Sequence, residues 1–174
     1  SNVVANTNVL ITAQLVDANG IAGLDAGRTV VWNSANGGSF ATPTSLTNSN
    51  GVATVAFRVA TSAGTVHTVT ATDNTALSGV SGNITVIPAA ASQLVITQQP
   101  GAATAGAAFG TQPVLEVQDA FGNLVDDDAT QVTAAAVGGT GTFDNPPRPN
   151  TALASIPGAR SGLYVAVLPD SVVP

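Results

Sequence analysis

Cysteine is absent from the 174 residues, and so is lysine. Without cysteine there is no disulfide, no thiolate metal centre and no thiol nucleophile. Without lysine, the positive side chains are Arg28, Arg58, Arg148 and Arg160 alone, set against ten acidic residues for a net charge of −6. Four scattered arginines on an acidic chain repel phosphate, which argues against nucleic acid as a partner. The same scarcity excludes a polybasic membrane patch. No apolar run reaches the ~18 residues that span a bilayer as a helix. Charged residues total 8%, against roughly 25% in ordinary globular proteins. The surface must therefore be built from Thr, Ser, Asn, Gln, Gly and Ala.

Aromatic residues are also few, at 4%, with one tryptophan (Trp32) and one histidine (His67). No Gly-x-Ser-x-Gly elbow occurs to place a nucleophile. Nothing near His67 supplies a second metal ligand or a nucleophile partner, and among alternating valines it reads as an outward strand residue. Asp126-Asp127-Asp128 is the one acidic cluster. Ca²⁺ wants several carboxylate oxygens, but successive residues of an extended segment point to opposite sides, and no Asp-x-Asp-x-Asp-Gly pattern accompanies the run. A solvated turn is the plainer reading. Asn83-Ile84-Thr85 fits the N-glycosylation pattern, a short pattern that also occurs by chance. No cofactor and no enzymatic activity are expected.

What the chain does have is apolar side chains, 44% of the total, enough to fill cores and too many for a disordered chain. They come in short alternating or β-branched runs separated by Gly, Asn, Asp and Pro, the pattern of an all-β sandwich or barrel. The spacing predicts strands at Val9–Val16, Thr29–Asn33, Val52–Val59, Val66–Thr72 and Gly82–Ile87, then at Gln93–Thr97, Val114–Gln118, Gln131–Ala136 and Leu163–Leu168. Within Val9–Val16, the residues Val9, Ile11, Ala13 and Leu15 share one face. Asp17-Ala18-Asn19-Gly20 and Asn48-Ser49-Asn50-Gly51 read as turns. The prolines of Asp144-Asn145-Pro146-Pro147-Arg148-Pro149-Asn150 rule out a sheet ladder there and predict a surface loop.

The runs also repeat. Val9-Leu10-Ile11-Thr12-Ala13-Gln14-Leu15-Val16-Asp17-Ala18-Asn19-Gly20 matches Thr111-Gln112-Pro113-Val114-Leu115-Glu116-Val117-Gln118-Asp119-Ala120-Phe121-Gly122, 102 residues later. Two modules follow, residues 1–88 and 89–174, joined near Pro88-Ala89-Ala90-Ala91-Ser92. Gln93–Thr97 precedes the second copy with no obvious counterpart in the first, so an opening strand is expected to be missing there. From Gly51 the first copy runs 37 residues to Pro88, whereas 12 follow the matching Gly162. The second copy is therefore expected to lack its last two strands.

Ser49-Asn50-Gly51-Val52-Ala53-Thr54-Val55-Ala56-Phe57, with Ala63-Gly64-Thr65-Val66-His67-Thr68-Val69-Thr70-Ala71-Thr72, resembles bacterial Ig-like domains of the invasin and intimin type. Ser92-Gln93-Leu94-Val95-Ile96-Thr97-Gln98-Gln99-Pro100, with Val117-Gln118-Asp119-Ala120-Phe121-Gly122-Asn123, is similar to related repeats of large bacterial surface proteins. The resemblance implies two tandem Ig-like β-sandwich modules at a cell surface or outside the cell. Ser1 opens the chain without Met or an apolar leader, as a mature secreted product or an excised fragment does. The resemblance also makes Trp32 a core residue, with a sugar-stacking platform as the weaker alternative. Phe40, Phe57, Phe121, Phe143 and Tyr164 read likewise as core or edge packing.

Losing two strands would uncover about six inward side chains at roughly 1.5–3 kcal/mol each. That is on the order of 10 kcal/mol, the size of a domain's whole stability of roughly 5–15. Three repairs are open: strands donated by a neighbouring copy, strands shared between the modules, or continuation into a longer array. The absence of lysines that guard sheet edges favours donation. Candidate donors are Ser1–Asn8, with Val3 and Val4, and Pro169–Pro174, with Val172 and Val173. The expected role is an extracellular subunit that polymerises head to tail into a fibre by donor-strand complementation. The alternative is the stalk of a surface adhesin, whose glycan or host receptor no residue here identifies.

Overall fold

Side-chain alternation sorts the strands into layers, and the structure, a computed structural model, is all-β. It describes residues 1–102, 104 and 109–126, together with the strand backbone at 142–143, 163–164 and 167–168, and contains no helix among them. It divides into two units, Ser1–Ala89 and Ala90–Pro174. Asp127, Asp128, Val172, Val173, the strand expected at Gln131–Ala136 and the Asp144–Asn150 loop lie outside the described residues.

The first unit is a two-layer sandwich. Its strands run β1 (Asn2–Val4), β2 (Asn8–Gln14), β3 (Thr29–Ser34), β4 (Ser39–Phe40), β5 (Thr44–Leu46), β6 (Val52–Arg58), β7 (Val66–His67), β8 (Val69–Asp73), β9 (Ser78–Val80) and β10 (Ile84–Ile87). One layer has the order β2-β6-β4; the other is made of β5-β3-β8-β9 and β1-β10-β7. The core lies between them. From β6 come Ala53, Val55 and Phe57; from the facing strands come Val30, Trp32, Val69, Ile84 and Val86, all buried. Trp32 fills the core as expected, and its indole N–H donates to the Ser45 hydroxyl at 2.9 Å.

Two expectations need correcting. The first unit opens on a short strand that the spacing does not predict: β1 runs parallel to β10, with Val3 opposite Val86 and Val4 opposite Ile87, while no counterpart of Gln93–Thr97 lies beside β2 among the described residues. Val3 packs against the core, so Val3 and Val4 are engaged within their own unit. His67 is not outward but fully buried. Its Nε2 accepts the Ala60 N–H at 3.1 Å, and its Nδ1 lies 3.2 Å from the Ala35 carbonyl. A neutral ring protonated on Nδ1 satisfies both partners. The ring also meets Phe57 edge-on at 5.2 Å.

In the second unit β11 (Ala91–Gln98) pairs antiparallel with β12 (Val114–Asp119). Strand β13 (Thr142–Phe143) pairs with β15 (Val167–Leu168), and β14 (Leu163–Tyr164) with β12. Because β12 is the sequence repeat of β2 and β14 follows the repeat of Gly51, β12–β14 re-creates the β2–β6 pairing. The second unit's described strands thus rebuild one layer of the first.

One turn recurs four times. At Asp17 the backbone N–H donates to the Ile21 carbonyl and the Gly20 N–H donates back to the Asp17 carbonyl. The Asp17 Oδ1 meanwhile accepts the N–H groups of Asn19 and Ile21, both at 2.8 Å. The same four bonds recur around Asn48, Asp73 and Asp119. The residue three beyond the Asx is left-handed each time: Gly20, Gly51, Ala76 and Gly122, with φ of 79°, 68°, 68° and 82°. Glycine adopts that conformation freely, whereas an L-residue loses roughly 1–2 kcal/mol there. At Gly51 the constraint is double, since an added Cβ would sit 1.9 Å from the Gly23 carbonyl oxygen.

Ala76→Gly should therefore raise unfolding stability by up to about 1 kcal/mol, the strain relief less the glycine's extra unfolded entropy. Gly51→Ala should lower it by more than about 2 kcal/mol. Urea denaturation of the three chains checks both. His67→Phe keeps the ring volume but strands the Ala60 N–H and the Ala35 carbonyl, and should cost about 1–3 kcal/mol for each unpaired group.

Candidate functional site

The first unit's layers do not close along one side. Among the described residues strand β2 pairs with β6 alone and β9 with β8 alone, so each is the edge of its layer there. Between the two edges lies an open cleft of about 410 Å³. Ile11, Ala13 and Leu15 line one wall, and Trp32, Ala71 and Val80 the other. The alternation of β2 explains the wall: Val9, Ile11 and Ala13 turn inward but stay only half-buried, while Leu10, Thr12 and Gln14 are exposed. Their neighbours on β6, one strand further in, are fully covered. Val80 on β9 is 67% exposed.

Backbone pairing fixes which groups of β2 face the opening. Leu15 N–H donates to the Gly51 carbonyl and Val59 N–H to the Thr7 carbonyl. In an antiparallel ladder bonded pairs recur every second residue, so the odd-numbered residues bond to β6. The N–H and C=O groups of Leu10, Thr12 and Gln14 therefore point out along the free edge.

A polar group closes one end of the cleft. The Asp73 side chain is buried against Arg28, whose Nη1 donates to it. Burial alone would raise this carboxyl, but the backbone N–H groups of Thr75 and Leu77, the Thr75 hydroxyl and Arg28 outweigh it and hold the pKa at about 2. Arg28 also reaches Asp25 at 2.7 Å and the Thr75 hydroxyl at 3.1 Å. The carboxylate is thus saturated by structural partners and is not a free base. His67 is likewise occupied at both ring nitrogens.

The other residues singled out by sequence do not join this cleft. Asn83 is exposed beside β10, its carbonyl accepting the Ser1 ammonium at 2.7 Å. Asp126 is exposed in the second unit, and among the described residues no three His, Asp or Glu groups gather where a metal would sit. The cleft therefore offers apolar side chains beside two unpaired backbone ladders. That surface suits an extended strand. Compared with known proteins, the chain matches no family model, no curated protein and no solved structure.

Asp73 sets a pH dependence. Its folded pKa lies below the ordinary 3.8, so its contribution is complete above that value and is lost as pH falls through about 2. Asp17, lowered chiefly by the Ile21 and Asn19 backbone N–H groups, adds to the same slope. Asp73→Asn keeps the turn, as Asn48 demonstrates, and removes the charge. Urea midpoints measured from pH 5 to pH 2 should fall less steeply in the variant than in the parent.

Proposed function

We propose that the chain is an extracellular structural subunit that polymerises with copies of itself by adding strands to open sheet edges, in the manner of donor-strand fibres. The observation that carries this reading is the cleft between β2 and β9, apolar inside and flanked by unpaired backbone. Neither strand holds a charged residue: β2 reads Asn-Val-Leu-Ile-Thr-Ala-Gln and β9 Ser-Gly-Val. Natural edges are normally blunted by lysine, proline or a covering segment. Strand addition draws affinity from main-chain hydrogen bonds and specificity from alternate side chains in pockets.

The energetics are balanced enough to be regulated. A donor burying three apolar side chains gains roughly 5–9 kcal/mol, of the order of the association cost of about 4–15 kcal/mol. The ladder hydrogen bonds then decide the outcome, which makes assembly concentration-dependent. The resemblance to bacterial Ig-like repeats supports a cell-surface setting. It also supports a second reading, a stalk segment of a surface adhesin, favoured by the turn repeated at Asp17 and Asp119.

Light scattering after size exclusion, with negative-stain imaging, separates the two readings. A polymerising subunit gives filaments or a concentration-dependent mass, and a persistent monomer sinks the polymer reading. Thr12→Pro deletes an outward N–H, a change tolerated on an edge, and Val80→Lys places a charge at the opposite lip. Each should abolish assembly while shifting stability by no more than about 1 kcal/mol.

A further inference from the structure

The chain contains its own template for what sits beside β2. In the second unit β12, the repeat of β2, carries β11 on the edge opposite β14. Among the described residues the corresponding edge of β2 carries no strand. Between the units, then, the same kind of strand appears once covered and once open.

Strand β11 has the chemistry to cover both. Its pairing with β12 places Leu94 opposite Val117 and Ile96 opposite Leu115. Directly opposed residues share a face, and in the repeat Leu115 and Val117 correspond to Ala13 and Leu15, two lining residues of the cleft. Leu94 and Ile96 are nevertheless 51% and 50% exposed. The far edge of β11 is unpaired among the described residues. Its sequence, Ala-Ser-Gln-Leu-Val-Ile-Thr-Gln, carries no charge, and neither does β2. In a chain of net charge −6, copies repel unless the surfaces that meet are neutral.

We propose that the first unit's β2 edge accepts β11 from the second unit of another copy. This rests on the assembly reading above and names its contact. Strand β11 keeps β12 on one side and offers its other edge, running parallel to β2, to the outward N–H and C=O groups of Leu10, Thr12 and Gln14; in that direction Leu94 and Ile96 stand opposite odd-numbered residues of β2. Leu94 and Ile96 then lie on the cleft side and cover its mouth. Register irregularities at both ends of β11 leave Gln93–Ile96 as the regular stretch, so the contact is short. Acceptor and donor lie on different units and are not the same surface, so the contact is head to tail. It produces a filament, or a ring if the rotation closes.

The absence of cysteine gives a clean test. Thr12→Cys is combined in the full chain with Gln93→Cys, Val95→Cys or Thr97→Cys, which lie on the face of β11 opposite Leu94 and Ile96. After mild oxidation at assembling concentration, non-reducing electrophoresis should show, for at least one pair, a ladder of trimers and larger species that collapses on reduction. Each single-cysteine chain can give at most dimers. Circular dichroism and thermal melting confirm that each variant is folded, and the three donor positions guard against one that is not. Filaments with no ladder from any pair overturn the β2–β11 contact and leave assembly standing. A parent chain that stays monomeric at every concentration overturns both.

Discussion

Each recurring turn hangs on one side-chain oxygen. In a chain with no cysteine to fix loops and few charged side chains to fix faces, the Oδ1 of Asp17, Asn48, Asp73 or Asp119 binds two backbone N–H groups and holds the peptide through a left-handed residue. The consequence reaches beyond the loops. A one-residue slip in a strand sends every inward side chain outward, and these turns lie at the ends of β2, β6, β8 and β12, where register is set. The Asn48 turn joins β5 to β6 and the Asp73 turn joins β8 to β9, so the buried faces of both layers take their phase from them. Three of the four are aspartates, so three of the ten carboxylates are bound by backbone donors.

Much of this was legible in the sequence, for a physical reason. Alternation over seven residues with a turn at the end is a local signal, and β2 carries it fully, so Val9, Ile11 and Ala13 share the inward face that the alternation predicts. The repeated Asp17 and Asp119 segments turned out to share hydrogen bonds as well as letters. His67 was misplaced because Val66 and Val69 are three residues apart and cannot share a face of a regular strand. The structure breaks the strand at Thr68 and takes its phase from Val69, which brings His67 inward.

The opening strand was illegible for a different reason. Asn2–Val4 is too short to show a period, and its partner β10 lies more than 80 residues away. Finding it changes where the first unit is incomplete. Strand β1 closes the β10 side of one layer and turns at Asn6, with φ of 60°, into β2 without ever covering β2's own edge. The cleft was equally hidden, because an unpaired edge is a property of neighbours, and no residue of β2 or β9 announces which strand is missing beside it.

Closure on one side and openness on the other bear on how such a subunit stays folded while keeping an edge available. The core of the first unit, from Phe57 and Trp32 to Val86, is buried without the cleft being filled. What stays exposed is the half-buried row Val9, Ile11 and Ala13 and the outward ladder of β2. In the proposed assembly, stability and association fall on the two edges of one strand: β2's bonds to β6 hold the fold, and the opposite edge is the one offered to a neighbour.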